Sequence, residues 1–278
     1  MTEDSLLAAR VRELSRRAYE GDYLTHTVFL SASEQAAFFE VVRKDAAAGA
    51  GGCSISARTM NGAPYVVFGG WEEAERTVVT FLPSYMDRVT FLEGEMEVPQ
   101  VVSCIEVRAV NARFADALSH RDCLGALMSL GIERDRIGDI LTGDVQNAQG
   151  RSYIFALKEN AELVCRELTR VKHTSVVCRE VAPSACDVRP AFEEIQGFVA
   201  SERLDAVIAM VWHLSRGRAQ ELVAQELVTV DGRTAFSGGY DVKPGSRVSV
   251  RGYGKFRYLG AEGETRKGRL RVKVQVYR

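Results

Sequence analysis

Ser201-Glu202-Arg203-Leu204-Asp205-Ala206-Val207-Ile208-Ala209-Met210-Val211-Trp212-His213-Leu214-Ser215-Arg216-Gly217-Arg218-Ala219-Gln220 decides how the C-terminal part of this chain folds. Leu204, Val207, Ile208 and Val211 recur at helical spacing, so one face of a first helix is apolar. Ser215 follows and can cap a second helix, with Ala219, Leu222 and Val223 on its buried side. Arg216 and Arg218 then fall in the first turn of that helix, beside its free backbone N–H groups. Such an end attracts phosphate, and two guanidiniums add charge and forked donors. Gly217 between them lets a backbone approach closely. The plainer reading of the same residues is a solvated helix start with two surface arginines.

Further along, Asp231-Gly232 reads as a tight hairpin turn and Lys243-Pro244-Gly245 as a second turn. Leu270, Val272, Val274 and Val276 alternate with Arg271, Lys273 and Gln275, which predicts a strand with one basic face. That face suits phosphate contact, or else protects a solvated edge strand by charge. With Leu227-Val228-Thr229-Val230-Asp231-Gly232-Arg233 and Val250-Arg251-Gly252-Tyr253-Gly254-Lys255-Phe256, the stretch resembles the small RNA-binding module of ribosomal small-subunit protein four, the S-four domain. The resemblance implies an αL-like fold and an RNA contact through Arg203, Ser215, Arg216, Arg218, Gln220, Arg251, Lys255, Arg257, Arg271 and Lys273. It departs from the usual module at Glu226, where glycine commonly ends the second helix, and at Asp231, where asparagine is common.

Charge is unevenly placed. Residues 201–278 hold 15 Lys and Arg against 8 Asp and Glu, whereas residues 1–200 hold 21 against 29. The net −1 of the 278-residue chain therefore hides a basic tail on an acidic body. A localised basic region is the electrostatic footprint expected for nucleic acid, and the acidic body opposes indiscriminate coating of RNA.

Length allows two or three domains, and the apolar content supports packed cores. No apolar run reaches the length of a membrane span, and Met1-Thr2-Glu3-Asp4 is unlike a signal peptide. The six cysteines, with no CxxC pair, read as reduced thiols in a cytoplasm, with neither metal nor cofactor expected.

The division predicted is an N-terminal α/β domain over 1–83, a middle domain over 84–183 and the S-four-type domain over 184–278. In the first, a helix is expected over 3–20. Ser31-Ala32-Ser33-Glu34 is a capping box opening a second helix through Phe38, Phe39 and Val42. Strands are expected at 54–58, 65–69 and 77–82. In the second, strands at 101–110, 152–157 and 174–179 and helices at 112–119, 121–130 and 158–169 suggest a ferredoxin-like sheet like that of RNA-recognition motifs. The stacking signature of that motif is missing, and Tyr153 and Phe155 read as core rather than base platforms. The overall fold class is α+β.

Enzyme motifs do not go far. His120-Arg121-Asp122 lacks the asparagine a kinase catalytic loop needs, since position 127 is Leu127. Arg203-Leu204-Asp205 is similar to the catalytic triplet of a pseudouridine synthase family, but there a catalytic domain follows the RNA-binding module. Asp205 reads instead as capping or pairing at its own helix start. No acid–base, nucleophile or metal constellation is found in residues 1–200, so no catalytic residue is assigned.

His120-Arg121-Asp122-Cys123-Leu124-Gly125-Ala126-Leu127-Met128-Ser129-Leu130-Gly131-Ile132 leads into Arg136-Ile137-Gly138-Asp139-Ile140. Together with Phe29-Leu30-Ser31 and Gly69-Gly70-Trp71-Glu72-Glu73-Ala74-Glu75-Arg76, this resembles the YlmH family over nearly the whole chain. Leu124, Leu127 and Met128 read as a buried helix face. His120, Arg121 and Arg136 either form a secondary RNA face or pair with Asp122, Asp135 and Asp139. The resemblance implies a bacterial, non-enzymatic factor in ribosome-associated quality control. Its partners would be large-subunit ribosomal RNA, the large ribosomal subunit and peptidyl-tRNA, with a monomer off the ribosome. An RNA-modifying enzyme and a cell-division-linked interaction protein are the alternatives.

Overall fold

The computed structural model describes residues 2–277 apart from 112, 114, 144–150 and 267. The chain forms two compact units, residues 1–189 and 190–278.

The first unit opens with α1 (Glu3–Gly21), capped by Thr2, and β1 (Thr25–His26). Ser31 caps α2 (Ala32–Ala47) with the expected box, its hydroxyl receiving Glu34 N–H while the Glu34 carboxylate receives Ser31 N–H. Phe38 and Val42 are buried on that helix, but Phe39 is half exposed. Strands β2 (Thr59–Met60), β3 (Ala63–Phe68) and β4 (Val78–Phe81) complete an antiparallel sheet of order β1-β4-β3-β2. Residues 54–58 are turns rather than the expected strand, with Ser54 making one bridge to Thr59. Helix α3 (Arg88–Glu97) had no sequence expectation, although Asp87 caps it through the backbone of Val89 and Thr90.

The second sheet of this unit contains β5 (Val102–Ala109), β6 (Ile137–Thr142), β7 (Ser152–Leu157), β8 (Arg170–Val171) and β9 (Thr174–Val181). Helix α4 (His120–Ser129) joins β5 to β6, and α5 (Lys158–Glu167) follows β7. Strand order β6-β7-β5-β9 with every pair antiparallel is the ferredoxin-like arrangement, with β8 added at one edge. The expected helix at 112–119 does not form over residues 115–119; positions 112 and 114 lie outside the described residues. Here Asp116 N–H donates to Thr174 Oγ1 at 2.9 Å, and Ser119 caps α4 by a box with Asp122. Tyr153 and Phe155 are core, as expected. Met128 is half exposed, so the buried face of α4 is carried by Cys123 and Leu127.

The two sheets share one core. Phe29, Val66, Trp71 and Phe91 from the N-terminal part cluster with Val102, Cys104, Tyr153 and Phe155. Cys186 and Val188 join the same cluster, so residues 184–189 pack with this unit. A buried carboxylate crosses the boundary between the sheets: Asp139 accepts from Trp71 Nε1 at 2.9 Å, Glu75 N at 2.8 Å and Arg76 N at 3.1 Å. Burial pushes its pKa up while these three bonds pull it down. Arg76 completes the clasp through the carbonyls of Ile137 and Phe29, at 3.1 and 2.9 Å. The motif residues Phe29, Trp71, Arg76 and Asp139 thus hold two sheets together.

The second unit carries α6 (Leu204–Val211), α7 (Arg216–Ala224), β10 (Phe192–Val199), β11 (Val228–Val230), β12 (Arg233–Thr234), β13 (Arg247–Val250), β14 (Gly254–Glu264) and β15 (Leu270–Tyr277). Its sheet runs β10-β15-β14-β13-β11-β12. Strand β15 is therefore internal, not an edge: it pairs with β10 from Phe192↔Tyr277 to Val199↔Leu270 and with β14 on its other side. The reason is β10, whose Phe192-Glu193-Glu194-Ile195 pattern hides a strand that the sequence does not announce. Val248, Val250, Phe256, Tyr258, Val272, Val274 and Val276 face α6 and α7 in one cluster. The expected Asp231-Gly232 turn is present, with both residues at positive φ.

Candidate nucleic-acid interface

Helix α6 begins at Leu204, just after Arg203, and its first free N–H groups are taken by a loop: Leu204 N donates to Tyr240 O at 2.8 Å and Asp205 N to Gly238 O at 3.0 Å. The loop backbone lies so close that a Cβ on Gly238 would meet Asp205 Cβ at 3.0 Å. Asp205 is thereby sealed; its residue exposure is 0%. A lone buried carboxylate is costly, so partners are required. Three donors supply them. Arg203 Nη2 reaches Oδ2 at 3.0 Å, Arg216 Nη2 reaches Oδ1 at 3.3 Å, and Gln220 Nε2 reaches Oδ2 at 2.8 Å. Burial raises the pKa of this carboxyl, but the bonds from Arg203, Gln220 and Arg216 outweigh it and bring it down to about 2.

The arrangement sets charge at the surface. Asp205 is fully ionised at neutral pH and compensates one arginine of two. The Arg203 and Arg216 side chains remain 38% and 48% exposed, so each guanidinium keeps N–H groups turned outward. Ser215 caps α7 by accepting from Arg218 N at 3.1 Å, as the sequence predicts. Arg218 itself reaches Glu221 at 2.9 Å and also bonds Tyr253, whose ring lies 6.3 Å from that of Trp212. Tyr253 belongs to the β13–β14 turn, which also carries exposed Arg251, so the turn and the helix pair meet at one end of the unit.

The sequence-predicted residues do not form one surface. Arg203, Ser215, Arg216, Arg218 and Gln220 belong to the helix pair. Lys255, Arg257, Arg271 and Lys273 alternate with the buried residues of β14 and β15, so they occupy the face of the sheet turned away from the helices. That face is partly neutralised: Lys273 Nζ lies 2.9 Å from Glu194 of β10. Asp205 is the residue that sequence reasoning underrated. Its position before two arginines was visible, but its burial depends on the 238–240 loop.

In the first unit, Arg136 pairs with Glu159 at 2.8 Å rather than with Asp135 or Asp139. Asp122 is engaged by Ser119 and by Lys172 at 3.4 Å. His120 and Arg121 are exposed at the start of α4. The first unit thus presents His120 and Arg121 at its surface, with Arg136 part-exposed and held by Glu159.

Two family models match: the RNA-binding domain in YlmH over residues 102–184, and the S-four domain over residues 202–248. The first covers the ferredoxin-like sheet, the second the helix pair and the following hairpin. A ribosome-associated protein quality control protein, P2, of Bacillus subtilis (strain 168) is 31% identical over 208 residues, covering 73% of this chain and 74% of its own. A solved structure named cell division protein ylmH, from Streptococcus pneumoniae, covers 65% of this chain and 92% of its own at 19% identity and a TM-score of 0.43. On the extent and identity of the first of these relatives, and with the YlmH RNA-binding domain model and the S-four domain model both matched by this chain, the chain belongs to the YlmH family.

Proposed function

We propose that this protein is a non-enzymatic RNA-binding factor of ribosome-associated protein quality control, acting on the large subunit where a peptidyl-tRNA is held. The relative of that name and the two RNA-binding domain models support the setting. One observation carries the residue-level reading: a buried Asp205 holds Arg203, Arg216 and Gln220 beside the Ser215-capped start of α7. This presents preorganised, charge-assisted donors at a helix N-terminus, the chemistry that phosphate oxygens take. The sheet face with Arg257, Arg271 and Lys273 supplies weaker, longer-range attraction.

The same observation supports a binding role over a catalytic one. An aspartate that attacks a base needs an open carboxylate, and Asp205 is sealed with both oxygens occupied. The Arg203-Leu204-Asp205 triplet then serves as a positioning device. Sedimentation of lysate through a sucrose gradient tests the assignment. The protein is expected to comigrate with free large subunits, and Arg203→Ala with Arg216→Ala should release it. Comigration with neither subunit, or a modified nucleotide lost in both deletion and Asp205→Asn strains, would replace this reading.

A further inference from the structure

The second unit contains a groove of about 470 Å³ between β10 and α6. Its β10 wall is the free edge of the sheet, since β10 pairs only with β15 among the described residues. An edge strand offers unpaired backbone N–H and C=O groups. The opposite wall is small and apolar: Ala206, Ala209, Met210 and Leu214. Gly197 brings the two walls together, because a Cβ there would meet Met210 Sδ at 2.5 Å. The rim carries Arg216 and Arg269, with His213 beside them, and the lining holds no aspartate or glutamate. Arg269 is fixed at the rim by Nη2 donating to Phe198 O at 2.7 Å.

We propose that this groove takes one unpaired nucleotide of the bound RNA, its base lying on the α6 wall and its phosphates between Arg216 and Arg269. The charge of the rim selects a polyanion. The apolar wall suits the face of a base, and the β10 edge offers donors and acceptors to a base's polar rim. The volume admits a nucleotide but not a duplex. Arg216 belongs both to this groove and to the Asp205 cluster, so RNA held at the helix pair passes the groove mouth. The proposal rests on the RNA-binding reading above and specifies the form of RNA that the site prefers.

The test uses the full chain and two RNA hairpins of equal length, one fully paired and one with a single 2-aminopurine bulge. Extruding a base from a paired stem costs a few kcal/mol that a bulge has already met, so the bulged hairpin should bind about tenfold tighter or more. Its fluorescence should change on binding as the base leaves solvent. Ala209→Phe fills the groove from a part-buried position on α6; it should remove the preference and the fluorescence change while the paired hairpin binds as before. Arg269→Gln should reduce the preference severalfold without filling the groove, which guards against misfolding of the first variant. Equal binding of both hairpins by the unaltered protein, or a preference that survives both substitutions, overturns the proposal and leaves the RNA-binding reading standing. Failure to bind either hairpin would bring down both.

Discussion

Gln220 Nε2 donates to Asp205 Oδ2 at 2.8 Å and so ties the middle of α7 to the sealed first turn of α6. This bond leaves the two arginines competing for the remaining acceptor capacity of one carboxylate. Their geometry is therefore set from beneath the surface, by a residue no ligand touches.

The pH dependence of stability should expose that carboxylate. Its pKa falls from 3.8 to about 2 in the fold, because its three donors outweigh burial. A carboxyl lowered in the folded state adds stability above its unfolded pKa and loses it as pH falls through the folded one. Asp205→Asn should thus cost about 1–2 kcal/mol at pH 7, allowing for screening at the half-exposed arginines. The gap between the two proteins should hold down to about pH 5 and close between about pH 4 and pH 2. Urea denaturation of both across that range measures it; a gap still undiminished near pH 2 would mean the carboxylate charge is not what stabilises α6.

RNA affinity should respond to the helix-pair arginines more than to those of the sheet. Replacing Arg216 and Arg218 by alanine should lose roughly 2–4 kcal/mol of binding, at about 1–2 per charged contact. Replacing Arg271 and Lys273 should lose less, since they act by charge alone on a strand, away from any helix N-terminus. Affinity of the full chain should fall steeply with salt, and the slope should shrink in the Arg216/Arg218 variant. Filter binding at several salt concentrations separates these outcomes, and equal losses from both pairs would assign contact to both faces.

Glu226 should be replaceable with profit. It stands at φ 58 just after α7, where Leu227 N reaches back to Leu222 O at 3.1 Å and Glu226 N to Val223 O at 3.0 Å. This is the helix stop that normally takes glycine, because a Cβ in the left-handed region costs about 1–2 kcal/mol. Glu226→Gly should therefore raise stability by about 1 kcal/mol after the added chain entropy of glycine is subtracted. Thermal unfolding reads this directly, and a lower midpoint would show that the glutamate side chain has a stabilising partner.

Asp139 should be the costliest substitution in the first unit. Asp139→Ala leaves Trp71 Nε1 and the backbone N–H groups of Glu75 and Arg76 without their acceptor. At about 1–3 kcal/mol for a buried unpaired donor, the loss should reach roughly 3 kcal/mol or more. Chemical denaturation measures the loss, and a change under 1 kcal/mol would mean that water reaches the site easily.

Legibility from sequence followed how local each determinant is. Ser31 and Ser215 announced their helices because a cap is a contact within one turn, and Asp231-Gly232 announced its hairpin for the same reason. The arginines near Ser215 were legible because composition alone marks a basic helix start. Strand β10 was not, since Glu193-Glu194 interrupts the alternation and only pairing with β15 decides it. Strand β6 was missed where Gly138 and Asp139 interrupt the apolar run; the reason for both residues lies across the unit, in Phe29 packed at Gly138 and Trp71 bonded to Asp139. The division of basic residues between two faces of one sheet is likewise a tertiary fact. A list of Lys and Arg positions cannot show it until strand phase is known.

Strand β15 lies between β10 and β14, and every residue of both neighbours is synthesised before it. The sheet of the second unit cannot close until Leu270–Tyr277 has left the translation tunnel. A copy interrupted before that point carries its helix pair and its arginines but leaves two ladder edges bare, which invites aggregation and proteolysis rather than RNA binding.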